Sequence, residues 1–118
     1  MSSFVFSWLT AFAFTQMVEM GVYVHAHDRA RPLAERLMIA FACSGITHPL
    51  VWFVIPELTQ SVGIPGYWPM VAIAEAFAVL AETAVLACFG VPRAFLWALG
   101  ANACSFTLGL FGYLWLAW

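Results

Sequence analysis

Four apolar runs, each close to the roughly 20 residues a helix needs to cross a hydrocarbon layer about 30 Å thick, follow one another along this chain with little between them. They cover about 3–24, 33–55, 70–89 and 94–118. A helix at a water boundary carries an apolar stripe and a charged face; none of these runs does. Helix-breaking signals gather in the gaps. His25-Ala26-His27-Asp28-Arg29-Ala30-Arg31-Pro32 divides the first run from the second, and Gly90-Val91-Pro92-Arg93 divides the third from the fourth. Between them, Pro56 and then Ser61-Val62-Gly63-Ile64-Pro65-Gly66 close the second run. Pro32 and Pro69 stand where a helix opens and a missing N–H costs nothing.

Charge is too scarce to clothe such a core in water. Only 8% of the 118 residues are charged and 64% are hydrophobic, against about 25% charged in soluble domains. The reading is therefore an all-α polytopic membrane protein, a single domain of four transmembrane helices in the lipid bilayer. A multi-pass place in the cell membrane follows, the inner membrane if the source is bacterial. The residues before the first run carry no positive stretch, so that run is read as a retained span rather than a cleaved signal. No Lys and no basic stripe are present for phosphates, which argues against nucleic acid as a partner.

The four basic residues set the expected orientation. Arg29, Arg31 and Arg36 cluster at the first connection and Arg93 lies in the third, while the second connection and both termini have none. Basic short loops stay cytoplasmic, so both termini are expected on the outer side. Trp8, Tyr67, Trp68, Tyr113, Trp115 and Trp118 then fall near the outer interface, where amphipathic rings settle. An internal echo accompanies this arrangement. Phe14 precedes Glu19 as Phe77 precedes Glu82, and Ala42-Cys43-Ser44 returns as Ala103-Cys104-Ser105. Such a pattern fits two parallel hairpin repeats about an axis along the membrane normal.

Polar residues inside the spans are the functional signal, because a charge near the bilayer centre costs about 2.5–3.5 kcal/mol. At 1.5 Å per residue, Glu19, Glu82 and Asn102 come to about 7, 10 and 12 Å from the cytoplasmic ends of their helices. These three can share an inner layer. Glu75 and His48 each come to about 20 Å, which suggests an outer layer joined to the first along the third helix. Pro49, next to His48, removes an N–H and displaces the carbonyl of Gly45, with Ser44 and Thr47 close by. The bland alternative is that a protonated Glu merely hydrogen-bonds another helix. Asn102, Ser105, Gly109 and Gly112 form a small face on the fourth helix, suited to close packing within the chain or between copies.

Other chemistry is poorly served. His25, His27 and Asp28 lack the further ligand a metal site needs. His48 lies too far up its helix to share a haem with His25 or His27, so no cofactor is expected. No nucleophile elbow, zinc-binding helix motif or phosphate loop occurs. Cys43, Cys88 and Cys104 read as packing residues, and Glu35 and Glu57 lie near interfaces. Three functions remain. The first is an oligomeric carrier or channel exchanging protons or cations on Glu19, Glu82, Glu75, His48 and Asn102, built from copies of this chain or with a partner membrane subunit. The second is a non-catalytic anchor or assembly subunit of a larger complex. The third is an intramembrane enzyme acting on a lipid or quinone. The expected topology has a direct check: cysteines introduced at Ser2 and at Ala30 should label from opposite sides of intact cells, and same-side labelling overturns it.

Overall fold

In the computed structural model, which describes residues 2–27 and 29–116, each apolar run is a helix. Asp28 and Trp118 lie outside the described residues. Helix α1 is Ser3–Tyr23, α2 is Leu33–Ser61, α3 is Tyr67–Cys88 and α4 is Ala94–Phe111, continued by a π-helical turn over Gly112–Leu116. All four are long and apolar enough to cross a membrane, and no strand occurs among the described residues.

The ends of the helices follow from local chemistry. Ser2 caps α1, its Oγ accepting the Val5 N–H at 3.2 Å, as an N-cap serine does. Two helices finish in the same glycine-dependent way. After α2, Gly63 at φ +77° lets Ile64 N–H reach the Thr59 carbonyl and Gly63 N–H the Gln60 carbonyl. After α3, Gly90 at φ +74° does the same for Val91 to Leu86 and Gly90 to Ala87. A side chain with a Cβ is disfavoured at such a position, and glycine is not.

Helix α2 corrects the expected boundary: it does not close at Pro56 but runs on to Ser61. Pro49 stays within helical backbone at φ −62°, and the chain responds one step later with a π-helical turn over Leu50–Val54. Widening the turn rehouses carbonyls that lost a partner, a usual membrane solution. It also ends just before Pro56, whose missing N–H falls in the first turn of the renewed α-helix. On α3 the start moves out from Met70 to Tyr67, because Pro69 sits in a first turn whose N–H groups need no intrahelical partner.

In cross-section the bundle has four corners. Helix α1 packs on α2 and α4, and α3 packs on the same two, so α1 and α3 face each other across a diagonal. Small residues (Ala40, Cys43, Ala98 and Ala101) fill the centre beside Leu86 and Tyr23, which allows close helix approach. The polarity is inverted relative to a soluble protein. Phe6, Met17, Met38, Leu80 and Leu96 are at least 60% exposed, while Gln16, Glu19, Glu82 and Asn102 are buried. Such a distribution fits an apolar surrounding. Tyr67, Trp68, Tyr113 and Trp115 are exposed, but Trp8 turns inward against Phe12 and Phe53.

The arginines also hold the fold. Arg36 donates through Nη1 to the Val24 carbonyl at 3.0 Å and through Nε to Arg31 at 3.1 Å. Arg31 donates to the Phe89 carbonyl at 3.2 Å and lies 3.7 Å from Glu35. Both cations thus sit on the C-terminal ends of α1 and α3, where carbonyls lack partners and the helix dipole is negative. Arg36→Gln should lower stability by about 1–3 kcal/mol, the scale of charge-assisted hydrogen bonds, measured as thermal unfolding in detergent.

Candidate functional site

Side chains from all four helices meet at the centre of the bundle, two each from α1, α2 and α4 and one from α3. Glu19 and Tyr23 come from α1, one turn apart and hence on one face. Ser44 and Thr47 come from α2, Glu82 from α3, and Asn102 with Ser105 from α4. All seven are buried. Because α1 and α3 are diagonal, Glu19 and Glu82 point at each other through the axis, with α2 and α4 supplying the donors on either side.

Glu82 is the more heavily partnered. Its Oε1 accepts from Tyr23 Oη at 3.0 Å and its Oε2 from Asn102 Nδ2 at 3.1 Å. Ser44 Oγ and Thr47 Oγ1 each lie 3.4 Å from one of its oxygens. Glu19 accepts from Ser105 Oγ at 2.8 Å on Oε1 and from Ser44 Oγ on Oε2. Ser44 is therefore common to both carboxyls. A serine has a single O–H, so at any instant it donates to one of them and can only accept from the other. Thr47 divides its proton in a similar way, with the Cys43 carbonyl at 3.2 Å as a competitor.

No basic group joins this cluster. The one ion pair among the described residues is Arg31 with Glu35, at the end of the bundle. Two carboxyls side by side without a cation, in a medium that solvates charge poorly, require another source of neutrality.

No family model, curated protein or solved structure matches this chain. What the site does has to be argued from its chemistry.

Of the residues singled out from sequence, Glu19, Glu82 and Asn102 come together and Glu75 and His48 do not. His48 faces α1, its ring 5.4 Å from Phe12 and 6.1 Å from Trp52. Glu75 is on α3, half-buried two turns outward from Glu82. No hydrogen bond joins Glu75 to His48 among the described residues. Equal depth on two helices does not by itself put two side chains in contact, because each also leaves its helix in its own direction. The His25, His27 and Asp28 suggestion gains nothing either: no group of three metal-ligating side chains occurs among the described residues. The small face of α4 is spent inside the chain, with Asn102 and Ser105 in the cluster and Gly109 against the Phe14 ring, 3.8 Å from an added Cβ.

Tyr23 is the residue that sequence reasoning missed. It stands near the end of the first run, and its i+4 spacing from Glu19 is the one sequence signal that puts it on the same face. Gln16 was missed too, one turn outward from Glu19 on the same face. Its Nε2 donates to the Phe41 carbonyl at 3.2 Å, while its Oε1 is buried without a partner. Trp8 Nε1 and His48 Nδ1 are likewise buried and unpartnered. These three atoms belong to the seam between α1 and α2, on the side of Glu19 toward the N-terminus of α1. Buried unpaired polar groups are costly. Tyr23→Phe should cost about 1 kcal/mol, a typical intramembrane hydrogen bond; an unchanged unfolding temperature in detergent would show that the Tyr23–Glu82 bond contributes nothing.

Proposed function

We propose that this chain is a small multi-pass membrane protein that exchanges protons or cations at the Glu19–Glu82 pair, as an oligomeric carrier or channel. The observation that carries this reading is the shared Ser44 hydroxyl between two buried carboxyls with no basic partner among the described residues. Each carboxyl that loses its charge must do so by taking a proton or a cation. Neutrality achieved that way is reversible, unlike neutrality from a fixed arginine.

The geometry supplies a means of transfer. A proton on one carboxyl can pass to Ser44 Oγ while the Ser44 hydroxyl proton passes to the other carboxyl. No heavy atom has to travel far. Tyr23, Asn102 and Ser105 hold the acceptors in place, so charge arriving at either carboxyl meets oriented donors. In this reading Glu75, two turns from Glu82 on α3, and His48, against Phe12 of α1, extend the route toward the other end. The oxygen-rich donor set also suits a small hard cation. Four short helices enclose little volume, so the route is completed by further copies of this chain or by a partner membrane subunit. The arginine-bearing end faces the cytoplasm and both termini face outward.

Glutamine is nearly isosteric with glutamic acid and keeps a donor and an acceptor but cannot ionise. Glu82→Gln and Glu19→Gln should each leave unfolding within about 1 kcal/mol of the parent and abolish proton or cation flux in liposomes. The double variant should lose little more than either alone, because the two act as one unit. A large loss of stability without selective loss of flux would instead favour the assembly-subunit reading, as would flux that survives both changes.

A further inference from the structure

Apart from the carboxylate pair, the arginine-bearing end of the bundle holds a cavity of about 520 Å³ between the first and third connections. Its size lies in the roughly 300–1,000 Å³ range of small-ligand sites. Ala26, His27 and Arg31 line it on one side, and Phe89, Gly90, Val91 and Pro92 on the other. A second cavity of about 490 Å³ lies at the opposite end, lined by Pro56, Thr59, Gln60, Gly63, Ile64, Pro65, Gly66 and Met70. That one has no charged wall. Chemistry, not volume, distinguishes the two.

Three features of the first cavity point to an anion. His27 is 5% exposed, and its Nε2 is buried with no hydrogen-bond partner. In the Nε2–H tautomer or as imidazolium, that ring atom is a donor waiting for an acceptor. Arg31 brings a guanidinium with five N–H donors, of which the bond to the Phe89 carbonyl uses one. The field at His27 is already positive: burial first, and then the charges of Arg31 and Arg36, hold its imidazole below the usual range. Among the described residues, the acid nearest Arg31 is the exposed Glu35, at 3.7 Å, which a stronger anion can displace. The helix carbonyls that would repel an anion here, Val24 and Phe89, are already covered by Arg36 and Arg31.

The cavity also lies where such a group is abundant. It sits just beyond the last turns of α1 and α3, at the level of lipid head groups if the helices span. Basic pockets between helix ends at that level take anionic head groups. We infer that the His27–Arg31 cavity binds a phosphate-bearing anion, with the His27 ring and the Arg31 guanidinium as its donors. This assignment is independent of ion exchange at Glu19 and Glu82.

The test uses the full chain in detergent and lipid nanodiscs and does not involve flux. Native mass spectrometry with phosphatidylglycerol against phosphatidylcholine should show about fivefold preferential retention of the anionic lipid, the size of one basic contact. His27→Leu should abolish that preference, and His27→Gln, which keeps a donor, should retain part of it. In parallel, inorganic phosphate is added to lipid-stripped protein and the His27 ring nitrogens are followed by NMR. A shift there without lipid preference supports the same anion chemistry with free phosphate as its source. Equal retention of both lipids together with an unmoved His27 would overturn the inference. So would a His27→Leu protein that folds as the parent does and keeps the parent's preference.

Discussion

Two carboxyls that no arginine neutralises, meeting on one serine hydroxyl, are the constraint around which the rest of the molecule is arranged. Inserting such groups among apolar helices is unfavourable, and the bundle offsets this by concentrating its polar side chains on them. Every helix contributes: Tyr23 from α1, Ser44 and Thr47 from α2, Asn102 and Ser105 from α4, with the acids themselves on α1 and α3. The small residues of the centre, among them Ala98 and Ala101, let the helices come close enough for these short side chains to reach. Packing and polar chemistry are here a single problem with one solution.

The polar cluster is also lopsided. Glu82 has firm donors in Tyr23 and Asn102, whereas Glu19 depends on two serines, one of them shared. The sequence echo between the hairpins sharpens this. Glu19 matches Glu82 and Ser44 matches Ser105, yet Tyr23 corresponds to Leu86 and Asn102 to Phe41. Different donors thus surround the two acids. Environments that differ in this way are what allow paired acids to take different parts in proton exchange.

At the arginine-bearing end, the same residues that predict orientation also terminate helices. Arg31 and Arg36 close the carbonyl ends of α1 and α3 while keeping positive charge at the bundle's edge. Arg31 in the connection between α1 and α2, and Arg36 in the first turn of α2, thus serve both ends. They also leave His27 in a positive, enclosed setting that the opposite end of the bundle lacks.

Length and hydropathy by themselves determined the four helices, because a span must be long and apolar wherever it lies in the bundle. They also picked out Glu19, Glu82 and Asn102, since a polar residue deep in such a run is costly enough to be conspicuous, and its depth follows from a fixed rise per residue. Depth is only one coordinate. The direction in which a side chain leaves its helix is set by how the helices pack, and that was decided by the tertiary structure alone. It turned His48 to Phe12 of α1, with no hydrogen bond to Glu75 among the described residues, and put Tyr23 and Gln16 in the buried interior. It likewise carried α2 through Pro49 and Pro56 as one helix, because a π-helical turn can rehouse the carbonyls that prolines strand. Proline's effect on the backbone is local, but whether the helix breaks or widens depends on the neighbours against which it must still pack.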